Sequence, residues 1–199
     1  MQGTAVSRPL DSLPGVSELL RLRTGGAYVV ESPSLVMALM SGPSQAGEWC
    51  AVVGAPDFGL EAAAAFGVDL ERTVVVPRPG EHWLSVTAGL LDVATVVVVR
   101  PPVVVGDHQA ERLRSRLRQK DAVLLSLGHW PRADAVVSIT DSSWVGLGRG
   151  HGRLTARRVM VTVSQGGPVR QLSLWLPNVD QVVAVQEQPA MPLTAVKAG

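Results

Sequence analysis

Short, unbroken aliphatic runs constrain this chain more than any other feature. Val93–Val99 reads VATVVVV, and Ala27–Val30, Trp49–Val53, Thr73–Val76 and Ala122–Leu127 are of the same kind and length. A strand with one wet face alternates apolar and polar residues. A strand that is apolar throughout must be covered on both faces, which is the condition of a parallel sheet between two layers of helices. The intervening segments supply the helices. Leu35–Met40, Leu60–Phe66, Trp83–Leu91 and Ala110–Gln119 read as helical, and Leu10, Leu13, Val16, Leu19, Leu20 and Leu22 recur at helical spacing before Gly25-Gly26. After the helix Leu35–Met40, Gly42-Pro43 is expected to break the chain. From Ala135 the pattern changes: Ala135–Ile139, Arg158–Ser164 and Leu172–Leu176 follow one another with no helix between, and Gly166-Gly167-Pro168 is a hairpin turn. The expected fold is therefore α/β, a mostly parallel sheet flanked by helices, with an antiparallel extension on the C-terminal side.

With 199 residues, 46% hydrophobic and 18% charged, the chain suits one domain with a sizeable core. The expected organisation is a flexible N-terminus over 1–9, one domain over 10–186 and a disordered Pro/Ala tail over 187–199. A net charge of +1 gives no global pull toward nucleic acid or anionic membrane. The start of the chain lacks the apolar core of a signal peptide, and no run approaches the ~18–20 residues of a membrane span. A cytoplasmic protein without membrane contact is expected. The single cysteine, Cys50, excludes an internal disulfide and reads as a buried, inert thiol. His82, His108, His129 and His151 are scattered without ligand spacing, Asp107-His108 reads as a helix N-cap, and no Ser/His/Asp arrangement stands out. No catalytic residue, metal or cofactor is expected.

The serial order of elements, with several local matches, resembles the ATPase core of the RecA recombinase. Residues 50–99 carry most of it: a strand opening with Cys50, a short helix, the Gly67-Val68-Asp69 turn, a strand, a helix containing Gly80-Glu81, and the run ending at Val99. Residues 111–130 and 158–177 resemble that family's next helix and strand and its late hairpin, so the likeness spans about residues 10–177. The departures are as informative. After Ala27–Val30 stands Glu31-Ser32-Pro33-Ser34, without the glycines and lysine of a phosphate-binding loop. Arg100 follows the strand where the family has its magnesium-holding Asp, and Gly54-Ala55-Pro56 stands where it has its water-activating Glu, with Asp57 out of register. The resemblance thus implies a RecA-like core without ATPase activity. The family's DNA-binding loops are shortened to Pro101–Asp107 and about Gly128–Ala133.

Together with LDSLPGVSELLRLRTGGAYVV near the N-terminus, this combination resembles the RecA-like accessory proteins of the actinobacterial mutasome, the ImuA-prime family. That resemblance implies an adaptor supporting damage-induced translesion synthesis. Its partner would be an ImuB-like inactive Y-family polymerase, and through it a damage-induced replicative-type polymerase and the sliding clamp. It further implies a partner-binding groove at Trp83, Leu84, Leu90, Val93 and Thr95, positions equally compatible with ordinary sheet packing. The stretch GLGRGHGRLTARR offers Arg149, Arg153, Arg157 and Arg158 either as an exposed hairpin loop or as weak contacts to DNA phosphate. The arginines of ERLRSRLRQK read as a solvated helix face or as a contact to an acidic partner, and Trp130 as a packing side chain or a base-stacking one. Two other classes stay open: a SulA-type cell-division inhibitor binding FtsZ, and a nucleotide-binding enzyme with an atypical loop at Ser32 and Ser34.

Overall fold

A computed structural model describes residues 7–145, 156–176 and the short strand 184–185. The elements in chain order are α1 (Val16–Leu19), β1 (Ala27–Val30), α2 (Pro33–Gln45), β2 (Cys50–Val53), α3 (Leu60–Ala65), β3 (Thr73–Val76), α4 (Trp83–Leu90), β4 (Val96–Val99), α5 (Asp107–Gln119), β5 (Val123–Ser126), β6 (Ala135–Val145), β7 (Ala156–Ser164), β8 (Arg170–Trp175) and β9 (Ala184–Val185). The strands form one sheet in the order β3-β2-β4-β5-β1-β6-β7-β8-β9. Pairing is parallel from β3 to β6 and antiparallel from β6 onward.

The valine runs owe their composition to this arrangement. Val96 and Val98 point into one core, with Leu35–Met40 of α2 and Ala63 and Phe66 at α3. Val97 and Val99 point into the other, with Trp83 of α4 and Leu113 and Leu117 of α5. All of these valines are fully buried, so a polar residue anywhere in β4 would lose water on whichever side it faced. Cys50 belongs to the same construction. Its burial pushes the thiol up to about 12. Native protein at pH 8 should therefore resist a thiol reagent such as iodoacetamide and react fully once unfolded in urea; rapid labelling of the folded protein would contradict this packing.

The structure differs from the sequence-based expectation at several places. Leu10–Leu22 is not one helix: only Val16–Leu19 is helical, and Leu10 instead donates its N–H to Leu22 in an extended pairing that includes a Pro9–Arg23 bridge. Pro14 and the left-handed Gly15 (φ 84°) confine the helical turn, while the leucines still face the core. Conversely, α2 runs through Gly42-Pro43. Gly42 is pressed against the backbone of Asp11 and Ser12, which a Cβ would meet at 2.6 Å, and the neighbouring Ser41 and Ser44 hydroxyls bond the backbone of Phe66 and Asp69. That buried packing outweighs the roughly 3 kcal/mol an internal proline costs. Strand β4 starts at Val96, because Val93 and Ala94 turn back to bond the Leu90 carbonyl. The N-cap of α5 is Gly106, whose N–H is taken by the Gln109 side chain, and Asp107 lies inside the first turn. Strand β6 extends to Val145 with an irregularity between Ile139 and Asp141. The expected tail over 187–199 and most of the N-terminus over 1–9 lie outside the described residues. Among the described residues no helix is long and apolar enough to cross a membrane.

Candidate functional site

In an open parallel sheet the carboxyl ends of the strands, where chain direction reverses, are the usual ligand position. Here the connection after β1 is the shortest at that edge. Only Glu31 and Ser32 separate β1 from α2, and Pro33 begins the helix. Glu31 spends its N–H on the Val137 carbonyl at 3.0 Å, and the Ser32 and Ser34 hydroxyls pair with each other at 2.9 Å. Leu35, Val36 and Met37 follow at once and are buried. A cradle for phosphate needs a wide loop of N–H groups; this connection is two residues long and is followed by Pro33, which has no N–H.

The neighbouring strand ends are equally specific. Gly54, after β2, has φ 74° and lies so close to β4 that a Cβ would sit 2.5 Å from the Arg100 carbonyl oxygen. This approach brings the Arg100 guanidinium, after β4, into a short charge-assisted hydrogen bond with Asp57. The bond from Arg100 holds the Asp57 carboxyl below the usual aspartate range. Arg78, between Pro77 and Pro79 after β3, joins Arg100 in a proline-walled cleft of about 240 Å³.

The residues expected to bind a partner are not one surface. Trp83 is 4% exposed and lies in the core beneath α4, its carbonyl accepting the Thr87 hydroxyl at 2.7 Å. Its ring therefore packs the domain and is not open to a partner. Leu84 and Leu90 are half-buried on α4, whose eight residues span about 12 Å. Val93 is 66% exposed at the amino end of β4. Thr95 is engaged: its hydroxyl donates to Glu48 at 2.6 Å and its N–H to the Trp49 carbonyl. Trp49, 46% exposed beside this turn, carried no functional signal beyond its place at the head of a strand.

The expected phosphate contacts also separate. Arg149 and Arg153 lie outside the described residues. Arg157 and Arg158 are adjacent on β7 and so point to opposite sheet faces. Arg157 stacks over the Trp144 ring, 5.8 Å from its centroid, whereas Arg158 is exposed. Trp130 is 2% exposed in the core and cannot stack on a base. What the sequence did not reveal is a groove of about 390 Å³ between α4 and α5, lined by Leu84, Ala88 and Leu113 with Glu81, Arg112 and Arg116 around them. Leu84 is the point where it meets the expected partner residues.

Residues 15–132, more than half of the chain and covering α1 to the loop after β5, match the family described as the MT3502 N-terminal domain. The chain belongs to that family. A relative from Mycobacterium tuberculosis, the uncharacterized protein Rv3395c, is 34% identical over 129 residues, covering 62% of this chain and 53% of the relative. The chain thus spans about half the length of the curated relative it matches. The family match ends before β6, so β6 and the antiparallel strands after it lie outside the matched segment.

Proposed function

We propose that this MT3502-family chain is a RecA-like core without ATPase machinery. It would act as a non-catalytic adaptor in damage-induced translesion synthesis, binding an ImuB-like inactive Y-family polymerase. The observation that carries the reading is the two-residue connection between β1 and α2 at the sheet's carboxyl edge. Where a phosphate loop would open between β1 and α2 there is only Glu31-Ser32 before Pro33, and the Glu31 carboxylate would repel phosphate. At the ends of β2 and β4, where magnesium and an attacking water would be held, Arg100 and Asp57 neutralise each other. A guanidinium in the place of a metal-holding carboxylate favours no cation there. The order of elements in the sequence and the change from parallel to antiparallel pairing at β6 support the RecA-like reading.

A binding role needs a surface instead of a catalytic pocket. On its outer side β3 pairs with no strand among the described residues, and Val74 of β3 is half-buried against the same core as Val86 and Leu90 of α4. An added strand would gain backbone hydrogen bonds there and cover half-buried side chains. Arg158 on β7 remains available for a phosphate contact, without sequence specificity.

Calorimetric titration with ATP and magnesium at millimolar concentration should give no saturable heat. Saturable binding that disappears in Ser32→Ala or Ser34→Ala would overturn the pseudo-ATPase reading and make the chain a nucleotide-binding protein.

A further inference from the structure

The groove between α4 and α5 has a chemistry that selects its occupant. Its apolar part comes from Leu84 and Ala88, one turn apart on α4, and from Leu113 of α5, which is 2% exposed. Along the α5 side stand Arg112 and Arg116, also one turn apart; the α4 side carries Glu81 at its start. Arg112 has no hydrogen bond or ion pair among the described residues. Arg116 is held at one end, donating through Nη2 to Asp92 at 2.5 Å, while its buried Nε has no acceptor. Neighbouring charges are already matched: Arg114 with Asp134, Arg118 with Glu111 and Lys120 with Asp92. The groove therefore presents an apolar trough with one uncommitted and one half-committed guanidinium on the α5 side and the Glu81 carboxylate at one end of the other.

We infer that the α4–α5 groove is a docking site for an amphipathic, acidic segment of a partner protein. Such a segment would place apolar side chains on Leu84, Ala88 and Leu113 and carboxylates against Arg112 and Arg116. Arginines spaced i,i+4 match carboxylates one turn apart on an opposing helix. A second copy of the chain is disfavoured, because a two-fold contact through this groove would set Arg112 and Arg116 near their own counterparts. A phosphate backbone has no apolar groups to cover the trough. The inference rests on the adaptor reading only in that the occupant is a protein segment, and it does not depend on which partner supplies it.

The probe is a short synthetic amphipathic helix with leucines at i, i+4 and i+7 and glutamates along one flank, compared with the same peptide carrying lysines. Binding is followed by fluorescence anisotropy and by amide resonance shifts of the full chain. The acidic peptide should shift Leu84, Ala88 and Leu113 and bind at least about tenfold more tightly than the basic one. Arg112→Glu, at an exposed position without an ion pair, should reverse that order. Ala88→Gln, which fills the trough with a good helix former, should weaken the acidic peptide by about tenfold or more while thermal unfolding shows the fold retained. Equal affinity of the two peptides, shifts confined to other surfaces, or unchanged preference in Arg112→Glu would overturn the proposal. So would a duplex oligonucleotide that perturbs the same resonances more strongly than the acidic peptide. Because the peptides are synthetic, failure of the ImuB-like complex leaves this result intact, and failure here leaves that complex possible through the β3 edge.

Discussion

Trp83→Ala is expected to lower the stability of the domain by about 3–5 kcal/mol, the range for deleting a large buried aromatic side chain. The ring is 4% exposed, shares its core with Leu91, Ala94 and Val97, and lies under the first turn of α4. Against a total stability on the order of 5–15 kcal/mol this is a large fraction, and the melting temperature should fall by roughly 10 °C or more. Trp83→Phe keeps most of the apolar volume and should lose considerably less. Thermal unfolding followed by circular dichroism separates the cases. An alanine variant melting within about 2 °C of the parent would mean that the ring is not core after all, and the position would regain its claim as a partner contact. The expected loss also bears on how a partner surface is mapped. A failed interaction in Trp83→Ala would report unfolding, so Val93 and Arg112, both exposed, are the positions for such tests.

The second large effect is expected at Gly54. Its φ of 74° is a conformation that costs a residue with a side chain about 1–2 kcal/mol. A Cβ there would also stand 2.5 Å from the Arg100 carbonyl oxygen, a backbone atom that cannot rotate away. Overpacking of that kind adds about 1–3 kcal/mol, so Gly54→Ala should cost about 2–5 kcal/mol. Gly89 is the matched control. It lies inside α4 with nothing within 4 Å of its would-be Cβ, and Gly89→Ala should raise stability by about 0.4–1 kcal/mol. Urea unfolding should show a lower midpoint for the first variant and a higher one for the second. Equal midpoints for Gly54→Ala and the parent would contradict the close approach of β2 and β4 that brings Arg100 to Asp57.

The strands were legible because burial on both faces leaves an unmistakable residue pattern, and the change to antiparallel pairing was legible from the absence of helices after Ala135. Strand ends were less so: Val93 has the composition of a strand residue but spends its N–H in the turn after α4. The helix through Gly42-Pro43 could not be read locally, because what sustains it is contact with Asp11, Ser12, Phe66 and Asp69, all distant in the chain. Helix α4 hid its orientation for a different reason. WLSVTAGL is apolar around most of its circumference, so periodicity could not decide whether Trp83 faced the core or a partner. The groove beside it is made by α4 and α5 together and has no signature in either segment alone. By contrast, the residue types between β1 and α2 were visible in the sequence, and the structure adds the length of that connection, Glu31 and Ser32.

The adaptor role proposed above rests on the strand ends and on two outer surfaces. At the carboxyl edge of the sheet the β1–α2 connection is two residues long and Arg100 pairs with Asp57, while the outer edge of β3, unpaired among the described residues, and a groove flanked by Arg112, Arg116 and Glu81 lie at the surface. The most direct test is co-expression of the full chain with the C-terminal half of an ImuB-like protein from the same genome, followed by size-exclusion chromatography. The adaptor account predicts a stable complex in which both chains co-elute. Two soluble chains eluting apart would contradict it.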